Sequence, residues 1–405
     1  MIDREKLLAG QAKALADLLE AVMASNAFYR QKFAGADLGD LDSLPFTTRS
    51  EWVQDQLDHP PYGTNLSYPV EQYTRYCQTS GSTGKPMKWL DTKEDWNWML
   101  GNWQRVFTAA GIQAGDKVFF AFSFGPFLGF WTAFEAATEL GCMALPGGGL
   151  SGAGRLGVMM ENRVDALCCT PTYAVHLGEV ARAEGVDVSA IGLRRIIVAG
   201  EAGGSIPATR ERIETLWPGA RVFDHHGMTE VGPVSYEMPT GDGLVVMEES
   251  YIAEVIDVES GTSSPEGELV LTSLGRLGSP LIRYRTGDRV RMEIREGRMC
   301  LVGGILGRVD DMVIIRGVNI FPAAVEAVVH TFPDVAEYRV HVNQVDALAE
   351  IALEVEPAEG CREPALLVDA LEAALKRTFS MRVPVRIAEG TLPRFEMKAK
   401  RWMTG

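Results

Sequence analysis

Five separated segments carry residue types able to do chemistry: Thr79-Ser-Gly-Ser-Thr-Gly-Lys-Pro86, His226-Gly-Met-Thr-Glu230, Tyr284-Arg-Thr-Gly-Asp288, Gly307-Arg-Val-Asp-Asp311 and a late Lys398. The first joins small hydroxyl residues to two glycines and a lysine. Glycines let backbone N–H groups approach an anion closely, and Ser and Thr add hydroxyl donors, which is the chemistry of a phosphate loop. It is not a Walker loop. Thr79 stands where the first glycine of Gly-x4-Gly-Lys-Ser/Thr is needed, and Pro86 replaces the Ser or Thr that would bind magnesium. An aspartate fixed on a short loop, as Asp288 would be, can accept hydrogen bonds from both hydroxyls of a ribose. Gly200-Glu-Ala-Gly-Gly204 follows a strand-like run ending at Ala199, and the C-terminal edge of a strand is where ligands sit in parallel α/β sheets. Each segment alone has a bland equivalent: a glycine turn, a structural histidine pair at His225 and His226, or charged residues on solvated turns.

In this order the segments resemble the adenylate-forming enzymes, the superfamily of acyl-CoA synthetases, luciferases and peptide-synthetase adenylation domains. The stretch Gly307-Arg-Val-Asp-Asp-Met-Val-Ile-Ile-Arg-Gly-Val-Asn-Ile-Phe-Pro322 is similar more specifically to phenylacetate–CoA ligases. Leu281-Ile-Arg-Tyr-Arg-Thr286, Leu44-Pro-Phe-Thr-Thr48 and the closing Lys398-Ala-Lys-Arg401 point the same way.

The resemblance implies a role for each matched position. Ser80, Gly81, Ser82, Thr83, Gly84 and Lys85 would wrap the β- and γ-phosphates of ATP. Thr229 would contact the α-phosphate, and Glu230 would hold magnesium, for which a carboxylate is a suitable hard ligand. Gly200, Glu201 and Ala202 would border the adenine, with Gly227 and Met228 beside it. His226 stands where the family has an aromatic residue, usually Tyr, that stacks on adenine, and it is assigned to nucleotide packing rather than to base chemistry. Asp288 would take the ribose, and Arg308 the ribose or phosphate. Asp310 would be the hinge of a small C-terminal domain, and Gly317 and Asn319 would line the channel for coenzyme A. Lys398 would neutralise charge that develops between carboxylate and α-phosphate. Met397 replaces the usual glycine and Lys400 lies close by, so Lys398 is the favoured of two lysines.

The acid pocket is less legible. Phe124 and Phe127, among the aromatic residues around Gly125-Pro126, are the best candidates for a slot that takes a flat ring, against a reading as ordinary core. An aryl or arylacetic acid is implied mainly by the resemblance. The expected cosubstrates are ATP, Mg2+, CoA and a small-molecule carboxylic acid. The acceptor alternatives are a carrier-protein thiol or an amine, and a nucleotide-binding relative without catalysis is the reading from another class. Relatives of this kind often form homodimers. Some hold a structural zinc after the Thr-Glu motif, but Ser235–Met238 and Gly243–Glu248 contain neither Cys nor His, so no zinc is expected.

With 405 residues, 46% apolar and 23% charged, the chain is long enough for two or three domains with sizeable cores. A net charge of −15 argues against a general nucleic-acid partner. No signal-peptide core follows Met1, and no stretch offers roughly 20 uninterrupted apolar residues, so a cytoplasmic protein without a membrane partner is expected. Six cysteines without Cys-x-x-Cys spacing read as buried reduced thiols.

The elements that must position these residues follow from periodicity. Residues 4–33 read as helical with a break at Ser25-Asn26, and the region from Leu44 to Cys77, rich in Pro, Gly and Asp, as loops and short strands. Strand-like runs at Lys117–Phe122, Ala166–Thr170 and Arg195–Ala199 alternate with helical ones near 92–110, 128–140, 172–184 and 207–216, which predicts parallel α/β layers. The expected fold is therefore α/β: a large N-terminal α/β domain over 1–308, with a β-rich subdomain over about 233–306, then a small mobile α+β domain over 309–405.

Overall fold

The computed structural model describes residues 3–79, 86–238, 241–309, 311, 313–315, 318–345, 348–395 and 400–404. Contacts divide the chain into two compact units, Met1–Gly149 with Phe223–Ile305, and Leu150–Val222 with Leu306–Gly405.

In the first unit, helix Arg4–Ser25 starts at Asp3, whose carboxylate accepts from Lys6 N. Asn26 ends that helix and opens the next, Ala27–Lys32, because its side-chain oxygen accepts from Tyr29 N at 3.1 Å. The break expected at Ser25-Asn26 is thus a shared cap. Leu18, Leu19, Val22, Tyr29 and Phe33 pack against Leu44 and Ile282. Helix Lys93–Ala109 has a capping box between Thr92 and Asp95 and buries Trp96, Met99, Leu100, Trp103, Val106 and Phe107.

Strands Lys117–Phe120 and Met143–Pro146 pair in parallel and are joined through helix Leu128–Glu139. An antiparallel run follows in the order Tyr251–Ile256, Glu266–Ser273, Tyr284–Arg295, Arg298–Val302, Gly243–Val246, Gly232–Glu237, Arg221–Met228. This is the β-rich region expected after Gly232.

In the second unit, Ala166–Cys169 and Arg195–Val198 pair in parallel through helix Pro171–Ala183. Its C-terminal part is a four-stranded sheet ordered Val385–Ile387, Leu348–Pro357, Val335–Val345, Trp402–Thr404, with an antiparallel centre and parallel edges. Helices Pro322–Val329 and Pro364–Phe379 cover it, burying Val325, Val329, Leu367, Leu371 and Leu375 against Val340, Leu353 and Val355. The α/β, β-rich and α+β parts expected from the sequence are all present.

Two helices were not expected. Arg49–Asp58 lies inside the region read as loops. A capping box starts it, with Thr48 and Glu51 bonding each other's backbone N–H, and Trp52 anchors it by stacking on Tyr284 at 4.7 Å and meeting Trp89 edge-on at 4.8 Å. Those local and packing terms outweigh the Pro and Gly around it. Gly152–Asn162 contains three glycines, each costing about 1 kcal/mol of helix propensity, and is started by Ser151, whose hydroxyl accepts from Gly154 N. All six cysteines are free thiols, five of them buried and Cys361 half-buried.

Candidate active site

The Thr229-Glu230 turn joins strands Arg221–Met228 and Gly232–Glu237. Arg276 holds it from beneath: one Nη donates to the carbonyls of Thr229 (3.2 Å) and Glu230 (2.7 Å), while Nε donates to Asp91 Oδ1 at 2.6 Å. Arg276 and Asp91 are both fully buried, so each needs the other. On the other side, Glu230 Oε1 accepts from Arg49 Nη1 at 3.1 Å, and Arg49 Nη2 donates to Thr79 Oγ1 at 3.2 Å. Thr79 closes the neck beside the glycine-rich segment. Its N–H donates to Met87 O at 2.9 Å and its hydroxyl accepts from Met87 N at 3.0 Å, extending the ladder of strands Tyr73–Gln78 and Lys88–Thr92.

Asp288 is presented by a bulge. Between strands Glu266–Ser273 and Tyr284–Arg295, Glu268 pairs with Arg289 and Val270 with Arg285, so two steps on one strand face four on the other. Thr286-Gly287-Asp288 arch out. Gly287 takes φ +77°, a left-handed value that suits glycine, and its N–H donates to Glu268 Oε1 at 2.9 Å. Thr286 Oγ1 donates to Leu269 O and accepts from Asp288 N.

The histidine pair divides because neighbours on a strand face opposite ways. His225 turns inward, where Nδ1 donates to Ser235 O at 2.9 Å and the ring packs 4.3 Å from Trp103. Burial pushes its pKa down to about 3, so it is neutral. His226 turns to Asp288, and its Nε2 donates to Oδ2 at 3.1 Å because a carboxylate only accepts. Its Nδ1 is buried and without a hydrogen-bond partner among the described residues. The sequence assigned His226 to nucleotide packing. The structure adds that it orients the ribose candidate.

Phe124 is half-buried among Phe122, Trp131 and Phe134, with ring centroids 4.8–5.3 Å apart. Phe127 lies beneath Gly125, where an added Cβ would fall 2.9 Å from its ring. Pro126 O accepts from Gln78 N at 2.7 Å, so the aromatic loop adjoins the same neck as Thr79.

In the second unit, Glu201 Oε1 accepts from Thr172 N at the start of helix Pro171–Ala183. Gly200 takes φ +95°, and Ala202 is half-buried beside it. Arg308 lies half-buried on the short strand Gly307–Arg308. Asn319 lies on strand Val318–Ile320, opposite Ile314. Ser80, Gly81, Ser82, Thr83, Gly84, Lys85, Asp310, Gly317 and Lys398 lie outside the described residues. Sequence reasoning missed Arg49 and Arg276. Neither sits in a motif, and they meet the Thr229-Glu230 turn across separations of 181 and 46–47 residues.

A chain-long match to a solved structure fixes the class. The protein is similar to a 2-hydroxyisobutyryl-CoA ligase in the postadenylation state in complex with R3-HIB-AMP, with a TM-score of 0.93 and 28% identity, covering 100% of this chain and 90% of that one. The fold is that of an adenylate-forming CoA ligase. Residues 317–404 match the AMP-binding enzyme C-terminal domain. The phenylacetate-coenzyme A ligase of Pseudomonas putida is 33% identical over 92% of this chain and 88% of its own length. That of Escherichia coli K12 is 31% identical over 98% and 94%. The chain belongs to the phenylacetate-coenzyme A ligase family of acid–thiol ligases.

Proposed function

We propose that the protein activates an aryl or arylacetic carboxylic acid with ATP and passes the acyl group to coenzyme A. In the first half, a carboxylate oxygen attacks the α-phosphorus of ATP, giving an acyl-adenylate and pyrophosphate. In the second, the CoA sulfur attacks the acyl carbon and AMP leaves. No protein nucleophile is needed, so positioning and electrostatics do the work.

The observation that carries this reading is the arrangement of Glu230 and Asp288 within one unit. The carboxylate of Glu230 is tied through Arg49 to the neck of the phosphate segment, while Asp288 is arched forward by a bulge and oriented by His226. Thr229, Glu230 and residues 80–85 would take the phosphates, and Asp288 the ribose. His226 Nδ1, with Gly227 and Met228 beside it, would leave an acceptor for the base. Among the described residues no group of three or more His, Cys, Asp or Glu could hold a metal ion. Glu230 alone still fits magnesium, which is commonly held by one or two carboxylates plus substrate phosphates. When bound there, the ion would neutralise phosphate charge.

Lys398, favoured over Lys400, would stabilise the adenylation transition state. The segment 309–405 would then turn about Asp310 to bring Gly317 and Asn319 to the CoA channel. Phe124 and Phe127 would wall the acid, the packing of Phe124 among Phe122, Trp131 and Phe134 suiting a flat apolar group. By the family resemblance, Gly200, Glu201 and Ala202 would border the adenine, and Arg308 would take the ribose or phosphate. A cytoplasmic location belongs to the same reading, and among the described residues no helix is long and apolar enough to cross a membrane.

The test is pyrophosphate release from Mg·ATP across a panel of aryl, arylacetic and small branched hydroxy acids, each with and without CoA. Release with aryl acids that yields acyl-CoA only when CoA is added is the expected result. Preference for small hydroxy acids would move the pocket toward the chemistry of the 2-hydroxyisobutyryl relative. Release without acyl-CoA would make the acceptor a carrier-protein thiol or an amine, and ATP binding without release would mean a non-catalytic relative.

A further inference from the structure

Arg49 belongs to no motif, yet it joins three separate segments of the first unit. It sits in the first turn of helix Arg49–Asp58 and donates through Nη1 to Glu230 and through Nη2 to Thr79. The Glu230 side chain is buried, whereas 36% of that of Arg49 is exposed. Thr79 Oγ1 is held in turn by Met87 N across the neck of the phosphate segment. Two arginines therefore share the Thr229-Glu230 turn. Arg276 fixes its backbone carbonyls from beneath, and Arg49 fixes the direction of its carboxylate. With Oε1 held by Arg49, the second oxygen of Glu230 can serve a cation. A guanidinium fork can hold a carboxylate and a hydroxyl at once, which the point charge of a lysine does less well.

We propose that Arg49 is a positioning residue for the metal–triphosphate complex, tying the Glu230 carboxylate to the paired Thr79 and Met87 so that the carboxylate meets the nucleotide-bound metal in a fixed direction. This rests on the reading of Glu230 as the magnesium ligand. A partly exposed ion pair adds little to stability, so the fold should survive loss of the arginine.

The experiment is calorimetric ATP binding in the absence of acid, with and without Mg2+, for wild type, Arg49→Met, Arg49→Lys, Glu230→Gln and the double variant Arg49→Met/Glu230→Gln. Melting temperatures and the KM for acid are measured alongside. A charge-assisted hydrogen bond of this kind corresponds to about a tenfold change in affinity. Arg49→Met should weaken Mg·ATP binding by about that factor, change metal-free ATP binding less, and leave the KM for acid within about twofold. Arg49→Lys should fall between, and the double variant should bind no worse than Glu230→Gln alone. Wild-type Mg·ATP affinity in Arg49→Met, or effects that add fully in the double variant, would overturn the coupling. A lowered melting temperature with unchanged affinity would also overturn it, leaving a structural role. If Glu230→Gln binds Mg·ATP as wild type does, the magnesium role of Glu230 fails and the coupling fails with it. If Glu230→Gln is weakened but Arg49→Met is not, the coupling alone fails.

Discussion

Gly227 lies where strand Arg221–Met228 shifts register against Gly232–Glu237, directly after His226. A Cβ there would fall 2.7 Å from Gly232 O and 3.1 Å from Pro233 Cα. Both are backbone atoms, so neither can swing aside. Gly227→Ala should destabilise the protein by about 1–3 kcal/mol through overpacking. It should also raise the KM for ATP, because the strain falls next to the histidine that orients Asp288. Urea unfolding and steady-state kinetics would check both, and a variant with wild-type stability and KM would refute the close-approach account. The glycine itself was visible in the sequence as part of His226-Gly-Met-Thr-Glu230. Its reason was not, since the obstructing atoms belong to a neighbouring strand.

Helix Arg49–Asp58 carries one member of the candidate site on its first turn, so its cap bears on function as well as on stability. Thr48 Oγ1 accepts from Glu51 N, Glu51 Oε2 accepts from Thr48 N at 2.7 Å, and Lys32 pairs with the same glutamate. The Lys32 and Thr48 contacts hold the Glu51 carboxyl below its usual pKa despite the opposing effect of burial. Thr48→Ala should cost about 1 kcal/mol. That corresponds to a fall in melting temperature of roughly 1–3 °C, while Thr48→Ser should restore most of it. Equal melting temperatures for the Ala and Ser variants would show that the cap does not hold this helix. The Thr-x-x-Glu signature was present in the sequence, but the density of Pro, Gly and Asp around it favoured loops. Periodic helices such as Lys93–Ala109 and Pro171–Ala183 were legible because an apolar face repeats along them.

At the largest scale, the second unit joins its two chain segments through a buried charge cluster. Arg401 donates to Glu337 at 2.7 Å and to Thr172 Oγ1 at 3.3 Å, and it lies 3.5 Å from Glu326. His330 Nδ1 bonds Thr209 Oγ1 at 2.6 Å, and its other nitrogen lies 3.6 Å from Glu326. Burial pushes the Glu326 carboxyl up to about 8, with Glu201 and Glu337 adding to the rise and Arg401 opposing it. Burial also holds His330 well below its usual value, so it does not supply a compensating charge near neutrality. A carboxyl at about 8 in the fold and near 4.5 when unfolded binds its proton more tightly in the folded chain. The stability linked to it is present in full below pH 4.5 and is lost as the pH rises through about 8. Glu326→Gln, which mimics the protonated form, should melt close to wild type at pH 5 and above it at pH 8. Parallel melting curves across that range would exclude a protonated Glu326.

The sequence by itself determined the order of chemical motifs, the alternation of strands and helices, and the β-rich region after Gly232. Each of these is written in residues near one another: a period, a cap, a glycine beside an aspartate. Tertiary structure alone decided that Arg49 meets Glu230 across 181 residues and that His226 meets Asp288 across 62. It also placed Arg276 beneath the Thr229-Glu230 turn. A hydrogen bond requires donor and acceptor within about 3 Å, and at such separations only the path of the intervening chain can bring them that close.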